Sequence, residues 1–138
     1  MSTKVRPELS KKNKYWINKH RYYELKHFVL QYPIWKEYVD NFDGLHTSTK
    51  IVVSKDRHES ARPVEEDSIR RIFYSERVDM LTRASQMTDH VIGSYILQGI
   101  LDGLSYDKLR ARYKVPCSRD KYYELYRKFF WLLSDIRK

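Results

Sequence analysis

The side chains best equipped for chemistry crowd into residues 105–138, SYDKLRARYKVPCSRDKYYELYRKFFWLLSDIRK. Arg119, Tyr123 and Arg127 recur every four residues and Glu124 stands three before Arg127, which sets all four on the front of one helix. A guanidinium can grip a guanine edge bidentately, a glutamate can accept from a cytosine amino group, and a tyrosine can donate or stack. Lys108, Arg110, Arg112 and Lys121 lie close by in sequence and suit phosphate neutralisation. Together the eight residues read as a nucleic-acid contact set, with anchoring by the second group and base-edge contacts by the first.

Catalytic and metal-binding patterns are not legible. The sequence has no phosphate-cradling glycine loop, no HExxH and no nucleophile beside an obvious base. Cys117 is the single cysteine, so no internal disulfide can form, and no histidine lies near it in sequence to activate it. His20 and His27 are seven apart with no converging carboxylates, and nothing organises His46 and His58. The expectation is a non-enzyme without metal or cofactor.

The contact set must be held by two capped helices. Ser105 can cap a helix whose face is Tyr106, Leu109 and Tyr113, and Ser118 can cap a second. In that second helix Tyr122, Leu125, Phe129, Leu132 and Ile136 form an apolar stripe that has to be buried. The opposite front carries Arg119, Asp120, Tyr123, Glu124, Arg127 and Trp131. A short junction, Lys114-Val115-Pro116-Cys117, joins the two. A helix with a buried back and a polar front, placed after a short turn, is how helix-turn-helix proteins offer side chains to a major groove.

Ser105 to Trp131 resembles the helix-turn-helix of sigma-factor region 4 and of phage late-gene transcription regulators of the RinA and ArpU type. The likeness covers the last quarter of the chain, or the last third if 89–102 is the supporting helix. The slots for a small residue, a turn glycine and an apolar residue hold Arg110, Lys114 and Asp120, so the turn has to be longer by about two residues. KYWINKHRYYELKHFVLQYP and VPCSRDKYYELYRKFFWLL are also similar to small proteins of phages and prophages of Gram-positive bacteria. That resemblance implies a phage setting and a host-cell cytoplasm.

With 138 residues, 41% hydrophobic and 14% aromatic, the chain is long enough for a core without metals or disulfides. Its net charge of +9 is unevenly spread. Residues 1–27 carry eight basic and two acidic side chains, 28–104 nine and twelve, and 105–138 ten and four. Two basic ends around a slightly acidic middle point to a polyanionic partner. No apolar run is long enough to span a membrane and no hydrophobic leader is evident, so a cytoplasmic location is expected.

Taken in order, residues 1–12 read as a mobile basic arm and 13–138 as one all-α domain of about six helices, an orthogonal bundle. A first helix over 13–32 ends at Pro33, and Ile34, Trp35, Tyr38, Val39 and Phe42 define a second, closed by Gly44. A polar loop is expected at 43–63, relieved only by a possible small strand at Ile51, Val52 and Val53. Pro63 and the acidic residues after it should open a long strut with Ile69, Ile72, Phe73, Met80, Leu81, Ala84 and Met87 inward. Thr88 and Asp89 should cap an all-apolar helix ending at Gly103, with Gly93 and Gly99 admitting close neighbours. The helix-turn-helix-like region then occupies 89–138. The expected function is a phage-type DNA-binding transcription regulator acting on duplex DNA, possible as a homodimer. The alternative is a small phage protein that modulates a host or phage protein through aromatic surface near Trp35, Phe130 and Trp131.

Overall fold

A computed structural model describes residues 13–138, and the side chains of all of these except 42–65. The described chain is all-helical, without strands. Its helices are α1 (Lys19–Leu30), α2 (Tyr32–Thr88), α3 (Ile92–Asp102), α4 (Tyr106–Tyr113) and α5 (Arg119–Arg137). There are five rather than about six, because the two helices expected on either side of a polar loop form one element, α2. The arm expected at 1–12 lies outside the described residues.

The backbone of 43–63 is helical, so Gly44 does not close a helix, Pro63 does not open one, and Ile51–Val53 is not a strand. Between Gly44 and Pro63 the sequence holds no further glycine or proline. Polar composition alone does not stop a helix, and a single interior glycine costs only about 1 kcal/mol. The element is not straight. The rings of Tyr38 and Tyr74 meet edge to face with centroids 4.8 Å apart. Those residues would lie about 54 Å apart along a straight helix, so α2 bends back between them.

The chain forms two compact units. One is Tyr32–Asp79; the other joins residues 13–31 with Met80–Lys138. In the first, Ile69, Ile72 and Phe73 are 67%, 56% and 46% exposed rather than inward-facing. Tyr74 makes the ring contact, and helical spacing turns those three residues about 100° or more away from it. Phe73 instead receives the guanidinium of Arg77, 3.3 Å from its ring centroid.

The second unit has an extensive buried core. Tyr22, Leu25, Phe28 and Val29 of α1, Leu81 and Ala84 at the end of α2, Ile92, Ile96 and Ile100 of α3, and Leu109 of α4 are all buried. Met87, expected beside them, is exposed. Asp89 Oδ1 caps α3 by accepting from the N–H groups of Val91 and Ile92 at 2.8 Å each. These bonds hold its carboxyl below the usual carboxylate range. Gly103 ends α3 in the left-handed region, φ 66°. Gly93 does admit a close neighbour: a Cβ there would stand 1.9 Å from the carbonyl oxygen of Ser85.

Helix α1 begins at Lys19 rather than Asn13, because Asn18 caps it by accepting from His20 N at 2.8 Å. It lies along α5. The hydroxyls of Tyr22 and Tyr126 are 2.9 Å apart, and Arg21 donates to the hydroxyl and carbonyl of Ser134 at 3.0 and 3.1 Å. Glu24 pairs with Arg21 and, at 3.6 Å, with Arg137. This packing shifts the buried stripe of α5. Tyr122, Leu125 and Phe129 are buried as expected, but Phe130 and Leu133 complete the stripe while Leu132 and Ile136 stay half-buried. Phe130 meets Tyr22 edge to face at 5.0 Å, which draws it inward.

Candidate nucleic-acid interface

Both predicted serine caps form. Ser105 Oγ accepts from Lys108 N at 3.5 Å and Ser118 Oγ accepts from Lys121 N at 3.2 Å. Between the helices Lys114 takes the left-handed conformation, φ 56° and ψ 56°, while its N–H donates to Arg110 O at 2.8 Å. That is the position where a glycine ordinarily ends a helix. Val115 is buried and anchors the turn to the core.

Two tyrosines then fix α4 against α5. The hydroxyl of Tyr106 donates to the carbonyl of Cys117. The hydroxyl of Tyr123 accepts from Tyr106 N at 3.1 Å. An N–H at the start of α4, which its own helix leaves unsatisfied, is thus met from α5. At the other end of α4, Asp102 accepts from Tyr113 at 3.3 Å and from Gln98 at 2.8 Å, with Arg112 4.0 Å away. Gly99 lets α3 approach this pair, since a Cβ there would lie 2.7 Å from the Tyr122 hydroxyl and 3.2 Å from Leu109 Cδ2.

The eight predicted contact residues divide by exposure. Lys108, Arg110, Arg112, Arg119, Lys121 and Glu124 are exposed, whereas Tyr123 and Arg127 are half-buried. Lys121 and Glu124 pair at 3.3 Å, and the Arg119 guanidinium lies 5.9 Å from the Tyr123 ring centroid. Such exposed pairs are weak enough to be exchanged for a ligand. Tyr123 belongs to the support, not to the outer rim, because its hydroxyl is engaged with α4. Arg127 Nε is buried and has no hydrogen-bond partner among the described residues.

Other expected surfaces change. Trp35 and Phe130, read as protein-contact aromatics, are buried at 5% and 0% exposure. Trp131 stays 42% exposed and receives the edge of Tyr15, centroids 5.6 Å apart. The sequence places residues 13–18 in the first helix and so does not reveal this contact, whereas they precede α1, which starts at Lys19. Burial raises the Cys117 thiol pKa, Asp89 adds to the rise, and Lys121 opposes it. The thiol is correspondingly poorly activated.

Among the described residues no group of three or more His, Cys, Asp or Glu is placed to hold a metal ion. No helix there is long and apolar enough to cross a membrane. Comparison with family models, curated proteins and solved structures gave no match.

Proposed function

We propose that this protein binds duplex DNA through α4 and α5 and acts as a phage-type transcription regulator. The supporting observation is the pair of capped helices with buried apolar backs, tied together through Tyr106 and Tyr123 and carrying Lys108, Arg110, Arg112, Arg119 and Lys121 exposed. In this reading Lys108, Arg110, Arg112 and Lys121 meet phosphates, while Arg119 and Glu124 reach base edges from the first turns of α5. Tyr123 keeps the two helices in register.

Binding to labelled duplexes at several salt concentrations tests the proposal. Replacing Lys108, Arg110 or Arg112 by Gln should weaken binding to all sequences alike and lower the salt slope by about one per residue. Arg119→Ala should cost about 1–3 kcal/mol on a selected site and little on random DNA. Lack of measurable duplex binding at moderate salt would remove the proposal. A second reading, a protein that modulates a host or phage protein, draws on the exposed Ile34, Ile69, Ile72 and Phe73 of Tyr32–Asp79. Salt-insensitive binding to one protein, abolished by Ile72→Asp, would favour it.

A further inference from the structure

The segment ahead of α1 is fastened to the rear of the α5 front. Asn13 folds it into a turn, its side-chain oxygen accepting from Tyr15 N at 2.8 Å and its carbonyl from Trp16 N at 3.0 Å. The Tyr15 ring then rests edge-on against Trp131, and Ile17 is buried. Asp120, Glu124, Arg127 and Trp131 follow one another at i, i+4, i+7 and i+11, which places Trp131 on the same stripe as Glu124. From Arg119 to Trp131 the helix advances about 18 Å, or roughly five base steps along a DNA strand.

Three basic residues lie on this stretch or next to it in sequence. Lys14 is exposed, with its ammonium 5.0 Å from the Tyr15 ring centroid. Lys128 is half-buried next in sequence to Arg127. Arg127 holds a buried Nε that no described group satisfies. Arg127 lies one helical turn before Trp131, on the face that carries the Tyr15 contact.

We infer that Lys14, carried on the Tyr15–Trp131 contact, and Arg127 together form a clamp for one DNA phosphate flanking the stretch that α4 and α5 meet. The inference rests on the proposed binding of duplex DNA. Phosphate oxygens suit both partners, since the guanidinium offers a fork of N–H donors and the ammonium a point charge. The clamp reads no bases. Its role is to fix the register of α5 on the duplex, as backbone contacts do.

The test uses the full chain and one labelled duplex set, a selected site and random sequences, titrated between about 50 and 200 mM salt. Lys14→Gln and Arg127→Gln should each weaken binding about three- to tenfold on every sequence and lower the salt slope by about one. Lys14→Arg should restore the binding. Trp131→Ala should weaken it similarly, and adding Lys14→Gln to Trp131→Ala should then cost little more, because the lysine has already lost its support. Circular dichroism confirms that each variant is folded. If Lys108→Gln weakens binding but Lys14→Gln leaves affinity and slope unchanged, the clamp is wrong while the proposed function stands. If Arg127→Gln abolishes preference for the selected site and spares random DNA, Arg127 reads a base and the clamp is again wrong. If the unaltered protein binds no duplex, both readings fall.

Discussion

Two residues concentrate the backbone demands of the helix pair and its support. Lys114 is held at φ 56°, where a side chain is disfavoured and glycine is not. Its backbone N–H bond to Arg110 O survives any substitution but proline. Lys114→Gly should therefore raise stability by about 0.5–1 kcal/mol, partly offset by the greater freedom of glycine in the unfolded chain. Chemical denaturation measures it, and a loss of more than about 1 kcal/mol would show that the lysine side chain contributes packing. The same substitution removes one cation beside the proposed interface, so any stability gain should come with weaker duplex binding. Gly93 makes the opposite demand. A methyl group there would stand 1.9 Å from Ser85 O, a backbone atom that cannot swing aside. Gly93→Ala should cost about 3 kcal/mol or more in the same measurement, despite the better helix propensity of alanine.

Among the elements, α3, α4 and α5 were legible in the sequence because local signals agree there. Serine or aspartate caps, a glycine stop and an apolar period all favour the same ends. The α5 stripe drifted beyond Phe129 for a reason no local pattern contains: α1 arrives from more than a hundred residues away and takes Phe130 through Tyr22. The contact set was legible by residue type but not by engagement. Nothing in the sequence shows that the Tyr123 hydroxyl serves Tyr106 N or that Arg127 buries an unmatched donor. The largest departure is α2, whose apolar residues divide between the two units. Leu81 lies in the core at 0% exposure, whereas Ile72 is 56% exposed: the broad inner side predicted from the sequence includes both, yet nine residues set them about 180° apart on a helix. Leu81→Ala should cost about 2–5 kcal/mol and Ile72→Ala less than about 0.5 kcal/mol. Equal losses in a denaturant titration would restore the single inward stripe that periodicity suggests.

Over the whole molecule, folding gathers what the sequence keeps apart. Residues 13–31 and 80–138 belong to one unit and hold fifteen basic against seven acidic side chains, net +8, while Tyr32–Asp79 holds eight against ten, net −2. The two basic ends of the sequence thus charge one body, which suits attraction to a polyanion and also sets up self-repulsion within that unit. Its core answers with aromatic rings that must stay neutral. Burial raises the phenol pKa values of Tyr122 and Tyr126 above the ordinary 10.0, and the hydrogen bond with Tyr22 raises that of Tyr126 further. Folded chains therefore keep these protons at a pH where unfolded chains release them. The phenols leave stability unchanged well below pH 10, and as pH rises through 10 they draw the equilibrium toward the unfolded state. Each phenol adds a slope approaching about 1.4 kcal/mol per pH unit. The wild-type curve sums over the whole chain, so it alone does not isolate the tyrosines. The comparison with Tyr126→Phe does, because both proteins share every other residue. The variant should be less stable near neutrality through loss of the Tyr22 bond, yet lose stability less steeply between pH 10 and 11. Parallel curves across that interval would mean that Tyr126 ionises equally readily in the folded and unfolded chain, and that the ring network between α1 and α5 is open to water.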